Sequence, residues 1–375
     1  MISEQSQLDH QMMHRALELG RRGILTTSPN PAVGCVLTQN NRIVGEGWHQ
    51  QAGQAHAEVN AITAAGAEAK GATAYVTLEP CSHFGRTPPC VNALIDAQVK
   101  RVVVAMQDPN PQVAGTGIAN LQKAGIEVQV GVLEAAAKAL NPGFIHRMTT
   151  QLPLLRLKMA TSLDARTALA NGKSQWITSA AARSDVQFWR AQADAILTGA
   201  DTVLADNPRL TVRAEQWPAT RELPTPLKQP IRVVIDGQNR IHDDLQLFAS
   251  EAPVWLIRHT EANASRHPHC HQIIVKKTAD NKIDLHDAML ELALREVNLV
   301  WTECGASLAG ALLQRQLVQQ LFLYQSTQLL GPTARAALEL GEFTELSQAP
   351  QFIITDRRTI GSDNRIIATP KQEQK

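Results

Sequence analysis

The sequence predicts two consecutive α/β domains. Three observations carry this reading. The chain has 375 residues, whereas a single domain spans roughly 100 to 200. Apolar β-rich runs alternate with helical patterns in both halves, and the pattern breaks around Asn141-Pro142-Gly143 and Pro153.

In the first half, strand signals fall at 32–38 and 42–48, flanking Asn40-Asn41 as a hairpin turn, and again at 73–78, 101–106 and 126–130. Helical patterns fill 8–22, 57–65, 91–97 and 118–124, the last closed by Gly125. One core sheet is expected. The break places a domain over 1–147 and a second over 148–375. Strands of the second are expected at 154–162, 195–198, 232–236, 254–257, 272–275 and 299–303, again separated by helices. Segment 217–230 holds Pro218, Pro224, Pro226 and Pro230 and reads as a surface loop. Only the two chain ends look loose.

Hydrophobic residues make up 44% and charged residues 19%, the balance of a globular protein. Lys plus Arg total 36 against 35 acidic residues, so no global positive field draws in a phosphate backbone, and nucleic acid is not an expected partner. The N-terminal MISEQSQLDHQ lacks the basic and apolar runs of a signal peptide, and no run is long enough to span a bilayer. A cytoplasmic protein is expected. Five cysteines, Cys35, Cys81, Cys90, Cys270 and Cys304, favour thiols or metal ligands over a disulfide framework.

His56-Ala57-Glu58 opens a helical pattern, and Pro80-Cys81 closes a strand before the chain reaches Cys90 at the head of another helix. One imidazole and two thiolates give Zn²⁺ three protein ligands and leave the fourth position to water, as in catalytic zinc sites. Zinc lowers the pKa of bound water to about 7. Glu58, not needed as a ligand, can move protons between that water, a ring nitrogen and a departing amine. His-x-Glu alone is commonly a solvated helix start. Combined with Pro-Cys and a later Cys it is the signature of zinc deaminases, with one departure: eight residues, 82–89, separate the cysteines where the generic pattern has two. An extra loop over the metal is expected.

In the second half, Gly305 and Gly310 lie between a strand ending at Glu303 and a helix expected to start near Leu308, with Ser307 suited to cap it. Free N–H groups there would suit a dinucleotide pyrophosphate. A plain strand-to-helix turn is the alternative. His267-Pro268-His269-Cys270-His271 has metal-like composition, but crowded histidines on a proline-containing loop are commonly solvated, and no metal is expected there.

The segment Glu79-Pro80-Cys81-Ser82-His83-Phe84-Gly85-Arg86-Thr87-Pro88-Pro89-Cys90 closely resembles the zinc segment of the bifunctional deaminase/reductases of riboflavin biosynthesis. Pro29-Asn30-Pro31-Ala32-Val33-Gly34-Cys35-Val36 and Asp108-Pro109-Asn110-Pro111 resemble that family's motifs too. So do the runs beginning Leu157-Lys158-Met159-Ala160, Ser174-Gln175-Trp176, Asp206-Asn207-Pro208 and Glu303-Cys304-Gly305, and the resemblance covers nearly the whole chain. Ala165 stands where the family usually has Gly after Asp164, so a different local turn is expected.

The resemblance implies a cytidine-deaminase-like three-layer N-terminal domain and a dihydrofolate-reductase-like α/β C-terminal domain. It implies one Zn²⁺ per chain on His56, Cys81 and Cys90, with Glu58 catalytic. The substrate would be a diaminopyrimidinone bearing a phosphoribosylamino group, a small molecule, and NADPH would then reduce the ribosyl group to ribityl. Lys158 and Asp206 become the reductase's catalytic candidates. Ala160, Trp176, Thr202 and Asp206, with Gly305, Ala306, Ser307, Leu308, Ala309, Gly310 and Ala311, would contact NADPH. Ser174, Arg190, Leu210, Arg213 and Glu303 would contact substrate, the two arginines holding its phosphate. A homo-oligomer is expected.

Two other functions are weighed. A nucleic-acid-editing deaminase would share the zinc site but need a basic groove, which the near-neutral charge opposes. A binding or scaffold protein with a dead metal site is opposed by the complete ligand set, and the alternative kept is a single-activity nucleobase or nucleic-acid deaminase with a non-catalytic C-terminal binding domain.

Overall fold

The computed structural model describes residues 4–82, 88–111 and 113–371. The chain divides into two compact units, Met1–Gln151 and Leu152–Lys375. The junction expected near residue 147 falls inside a helix, Pro142–Thr150, so the division comes after that helix. Proline is tolerated in the first turn of a helix, and Pro142 therefore starts an element where it had been read as ending one.

The first unit runs α1 (Glu4–Arg21), β1 (Gly34–Gln39), β2 (Arg42–Trp48), α2 (Ala57–Ala65), β3 (Thr73–Val76), α3 (Cys90–Asp96), β4 (Arg101–Val104), α4 (Thr116–Lys123), β5 (Glu127–Val130), α5 (Glu134–Leu140) and α6 (Pro142–Thr150). Its sheet has the order β2-β1-β3-β4-β5. β1 is antiparallel to both neighbours, and β3, β4 and β5 are mutually parallel. The Asn40-Asn41 turn closes the first hairpin with both residues at positive φ, 51° and 61°, as a two-residue loop requires.

Strand alternation divides the side chains between two cores. Cys35, Leu37, Ala74, Val76, Val102 and Val104 face α2, α3 and α4, whereas Val36, Tyr75 and Val103 face α1 and α5. The result is the three-layer sandwich expected. Close approach matters at β2: a Cβ on Gly45 or Gly47 would lie 2.3 Å from the Ala61 carbonyl oxygen or 2.4 Å from the Ala61 nitrogen. Glycine lets α2, which carries Glu58, lie directly on the strand.

The second unit contains β6 (Leu154–Thr161), β7 (Arg166–Ala168), α7 (Ala180–Gln192), β8 (Ala195–Gly199), α8 (Ala200–Asp206), β9 (Ile231–Ile235), β10 (Val254–Arg258), β11 (Cys270–Ile274), α9 (Leu285–Leu294), β12 (Leu299–Glu303), α10 (Ala306–Gln314), β13 (Gln320–Gln325), β14 (Arg335–Ala336), β15 (Phe352–Ile360) and β16 (Asp363–Pro370). The main sheet has the order β11-β10-β9-β8-β12-β6-β13-β16-β15. It is parallel from β11 to β13, and β16 and β15 add an antiparallel hairpin. The last described strand pairs with β13 through Leu321↔Ala368 to Gln325↔Asn364, and the final residues, 372–375, lie outside the described residues. α9 and α10 pack on one face and α7 on the other. No described helix is long and apolar enough to cross a membrane.

Candidate functional sites

His56 occupies the N-cap position of α2 in extended backbone but makes no side-chain cap bond. Its ring turns to the cysteines, with Nδ1 3.1 Å from Cys90 Sγ and 3.6 Å from Cys81 Sγ. The three ligand atoms lie within 4.8 Å of one another. Tetrahedral zinc with bonds of about 2.0 Å to nitrogen and about 2.3 Å to sulfur separates those atoms by roughly 3.5 Å. The donors and their spacing therefore fit a zinc ion with one position left open.

Local structure supplies the charge this needs. Cys90 begins α3 and donates its backbone N–H to Cys81 Sγ at 3.3 Å. Hydrogen bonds from Cys90 and His56 pull the Cys81 thiol down to about 4 against the opposing effect of burial. Cys90, sharing a proton with that thiolate and buried, is pushed up; a zinc ion held there would take both as thiolates. Glu58, the second residue of α2, is 3% exposed. Burial, and then the negative charge of Cys81, push its carboxyl up to about 7, so it can take and give a proton near neutrality.

His49 completes this neighbourhood and was not anticipated. Its ring stands edge-on to His56, centroids 5.1 Å apart. Nδ1 lies 3.1 Å from the Ala55 carbonyl and must donate, leaving Nε2 to accept from Asn30 Nδ2 at 3.3 Å. Burial lowers its pKa, so the ring is held neutral in one tautomer. Asn30 sits in the Pro-Asn-Pro segment, and that segment is clamped by Asn141, whose amide bonds both the N–H and the carbonyl of Ala32. A lone histidine after a strand gives no sequence signal of this kind. Residues 83–87 of the expected extra loop lie outside the described residues.

In the second unit, Glu303 ends β12 directly opposite Lys158 of β6. Arg190, in the last turn of α7, grips Glu303 with two hydrogen bonds, Nε to Oε1 at 2.6 Å and Nη2 to Oε2 at 2.9 Å, and donates a third to the Thr211 carbonyl at 2.9 Å. Trp301 Nε1 donates a third hydrogen bond to Glu303, at 2.7 Å. Burial pushes the Glu303 carboxyl up, but Arg190 and Lys158 outweigh it and hold it at about 2. Arg190, expected to hold substrate phosphate, thus bonds protein through all three of its nitrogens, which leaves two of its five N–H groups for a ligand. Arg213 differs. Its backbone N–H bonds Gln187 at 2.9 Å, and its half-buried guanidinium has no hydrogen-bond or ion-pair partner among the described residues. Burial, then Arg190, lowers the pKa of that guanidinium, while Glu303 works the other way. Lys158 is likewise lowered by burial, with Glu303 opposing.

The β8–α8 and β12–α10 turns lie side by side at the carboxyl ends of adjacent strands: Thr202 Oγ1 is 3.8 Å from where a Cβ on Gly305 would sit. Gly305, not Ser307, is the N-cap of α10, and Ser307 is an exposed residue of the first turn. Ala306 and Leu308 complete that turn, while Ala309 and Gly310 are buried and Ala311 packs on the core beneath. A Cβ on Gly310 would lie 1.8 Å from the Glu339 carbonyl oxygen, so packing explains this glycine without a phosphate. Asp206 is the exposed last residue of α8. Leu210 buries its side chain in the core at φ 51°, leaving only backbone for a ligand. Ala160 is half-buried on β6, and Ser174 half-buried in an irregular segment. Trp176 is 59% exposed beneath the Arg183 guanidinium, 4.4 Å from its ring.

Ala165 corrects another expectation. It adopts φ 57°, the conformation for which glycine is suited, and the turn closes with Ala165 N–H to the Ser162 carbonyl at 3.1 Å. Asp164 anchors it by accepting from Leu330 and Gly331 N–H at 3.1 and 2.8 Å. In the histidine-rich loop, His267 stacks on Phe248 with centroids 4.7 Å apart. Among the described residues the metal-capable group is His56, Cys81 and Cys90, and that loop contributes none of it.

A three-ligand zinc position beside a buried carboxylate, on a three-layer αβα sandwich, defines the class of zinc-dependent deaminases, here followed by a largely parallel α/β unit. Residues 6–106 match the cytidine and deoxycytidylate deaminase zinc-binding region, and residues 153–366 match the RibD C-terminal domain. The chain is 49% identical to riboflavin biosynthesis protein RibD of Escherichia coli over 95% of its length and 97% of that protein. It is 47% identical to that of Haemophilus influenzae over 98% and 99%. The structure of Acinetobacter baumannii RibD superposes with a TM-score of 0.89 at 41% identity, covering 98% of this chain and all (100%) of that one. A Thermotoga maritima diaminohydroxyphosphoribosylaminopyrimidine deaminase/5-amino-6-(5-phosphoribosylamino)uracil reductase gives 0.86 at 32% identity, covering 98% and 100%. The chain belongs to the RibD family of bifunctional riboflavin-biosynthesis deaminase/reductases, enzymes of zinc and NADPH.

Proposed function

We propose that the unit ending at Gln151 deaminates the phosphoribosylaminopyrimidine and that the unit beginning at Leu152 reduces its ribosyl group to ribityl. The observation that carries the first half is the convergence of His56, Cys81 and Cys90 within 4.8 Å beside buried Glu58. Zinc held by those three ligands supplies a water acidic enough to act as a nucleophile at neutral pH. Glu58 would take a proton from the attacking water and deliver it to the ring nitrogen and the leaving amine. His49, fixed as one neutral tautomer between the Ala55 carbonyl and Asn30, ties the Pro-Asn-Pro segment to the backbone just before His56.

In the second unit NADPH supplies the hydride. The N–H groups of the first turn of α10, at Ala306, Ser307 and Leu308, would receive its phosphates, with Gly305 and Thr202 allowing close approach. Arg213 holds the substrate phosphate. Lys158 would orient the ribosyl group or deliver a proton to its ring oxygen as hydride reaches the carbon, and the Arg190–Glu303 pair keeps Lys158 in place. Asp206, Trp176, Ser174, Ala160 and the Leu210 backbone are assigned to the rim of this site. Five free cysteines suit the reducing cytoplasm in which we place the enzyme, and a homo-oligomer is part of the same reading. Sedimentation velocity tests the last. The activity itself is tested by following ammonia release and NADPH oxidation from the diaminopyrimidinone substrate in one sample.

A further inference from the structure

We propose that Glu79 is a positioning residue for deamination: its carboxylate fixes the loop that starts at Asp108 and the start of α4 to the metal-binding segment and so holds in place a surface on which the pyrimidine binds. The inference rests on the deaminase reading above.

β3 and β4 are adjacent parallel strands, so the chain leaves both at the same edge of the sheet. One exit leads through Pro80 to the ligand Cys81; the other leads through Asp108-Pro109-Asn110 to α4. Glu79 lies between them and is 3% exposed. Its Oε2 accepts from the N–H groups of Asp108 at 3.1 Å and Gly115 at 3.0 Å. Its Oε1 accepts from Gly117 at 2.9 Å and Ile118 at 3.2 Å.

The local reason is an uncapped helix. α4 begins after Gly115, which sits at φ 79° and has no side chain to cap with. The orphan N–H groups of the first turn need acceptors, and a carboxylate at the positive end of the helix dipole is favourable. Glu79 supplies both from a distant part of the chain. The contact is tight, since a Cβ on Gly117 would lie 2.2 Å from the Pro80 carbonyl oxygen. A second link runs outside it, Ser82 Oγ to Thr116 Oγ1 at 2.7 Å. The residues flanking Cys81 and the start of α4 are thus one block, and the loop that starts at Asp108 is tied to it through the Asp108 N–H.

A cap that served stability alone would change how much enzyme folds, not how the folded enzyme meets its substrate. Glu79→Gln is close to isosteric but turns an amide N–H toward two backbone N–H donors. In full-length zinc-loaded protein, ammonia release is measured against substrate concentration, with zinc content determined on the same preparation. We expect zinc to stay stoichiometric, KM for the pyrimidine to rise about tenfold or more and kcat to change by less than about threefold. Glu79→Asp, which keeps the charge, should recover part of the KM. Reduction of pre-deaminated substrate should be unaltered.

An unchanged KM, with activity falling only in proportion to folded zinc-bound protein, would make Glu79 a structural cap and overturn the proposal. Should Glu79→Gln fail to fold, Ser82→Ala removes the outer link and keeps the Thr116 Oγ1 bond to the Val113 carbonyl: a KM raised roughly threefold at full zinc supports the proposal, and an unchanged KM overturns it. Absence of ammonia release by the parent protein would overturn the deaminase reading and this inference with it.

Discussion

Arg190 and Glu303, 113 positions apart in the chain, meet in a two-pronged ion pair with donor–acceptor distances of 2.6 and 2.9 Å. Both side chains are nearly buried, at 11% and 16% exposure. Removing one partner leaves the other charge uncompensated. Arg190→Ala should therefore destabilise the second unit by about 3–5 kcal/mol, whereas an arginine that only held substrate phosphate would leave stability unchanged. Urea unfolding followed in both proteins separates these outcomes.

The same pair sets an acid limit. Glu303 is held at about 2 against an ordinary value of 4.5, so its folded-state pKa is depressed. A depressed carboxylate contributes stability that is fully present above the unfolded value and is lost as pH falls toward the folded one. Stability of the second unit should fall between pH 4.5 and 2, and more gently in Glu303→Gln, which cannot ionise. Equal slopes in both proteins would contradict the assignment.

Glycines 305 and 310 should respond differently to substitution. A Cβ on Gly305 meets only Thr202 Oγ1, at 3.8 Å, whereas one on Gly310 meets the Glu339 carbonyl at 1.8 Å. Gly305→Val should weaken NADPH binding, read by fluorescence titration, with little loss of stability. Gly310→Val should instead lower the melting temperature, the reverse of what a phosphate cradle spanning both glycines requires.

Arg213→Ala should raise the KM of the reductase for its pyrimidine by about 10- to 100-fold, the equivalent of about 1.5–3 kcal/mol for a hydrogen bond to a charged group. NADPH affinity should hardly move. A loss of NADPH affinity with pyrimidine binding spared would exchange the two subsites.

Ala165 at φ 57° carries left-handed strain of about 1 kcal/mol. Ala165→Gly removes it but loosens the unfolded chain by about 0.5–1 kcal/mol. The net change should lie between zero and a small gain, while Ala165→Val should be clearly destabilising. Thermal unfolding of the two variants checks this.

What could be read from the sequence followed physical range. Strand alternation and the Asn40-Asn41 turn are local, and the core strands fall within a few residues of their expected bounds. The zinc ligands were legible because ligand type, order and flanking proline act together over a short stretch. Relations set by tertiary contact were not. Nothing local announces that the Glu339 carbonyl packs against Gly310 or that Glu303 pairs with Arg190. Glu79 stood inside a recognised motif, yet its acceptors' partners lie on α4 and the loop before it. The hairpin of β15 and β16 escaped notice because its solvent-facing edge strand carries Asp356, Arg357 and Arg358, charges common on strands that must not pair further.

The central claim is that one chain removes an amine with zinc-assisted chemistry dependent on Glu58 and then reduces the product with NADPH. The most direct measurement follows ammonia and NADPH together in Glu58→Gln, with zinc content determined. The account predicts full zinc, ammonia release lowered by about 10²–10⁴-fold, no NADPH oxidation from the diaminopyrimidinone, and normal oxidation when pre-deaminated substrate is added. Ammonia release at the parent rate in a zinc-replete Glu58→Gln protein would contradict it.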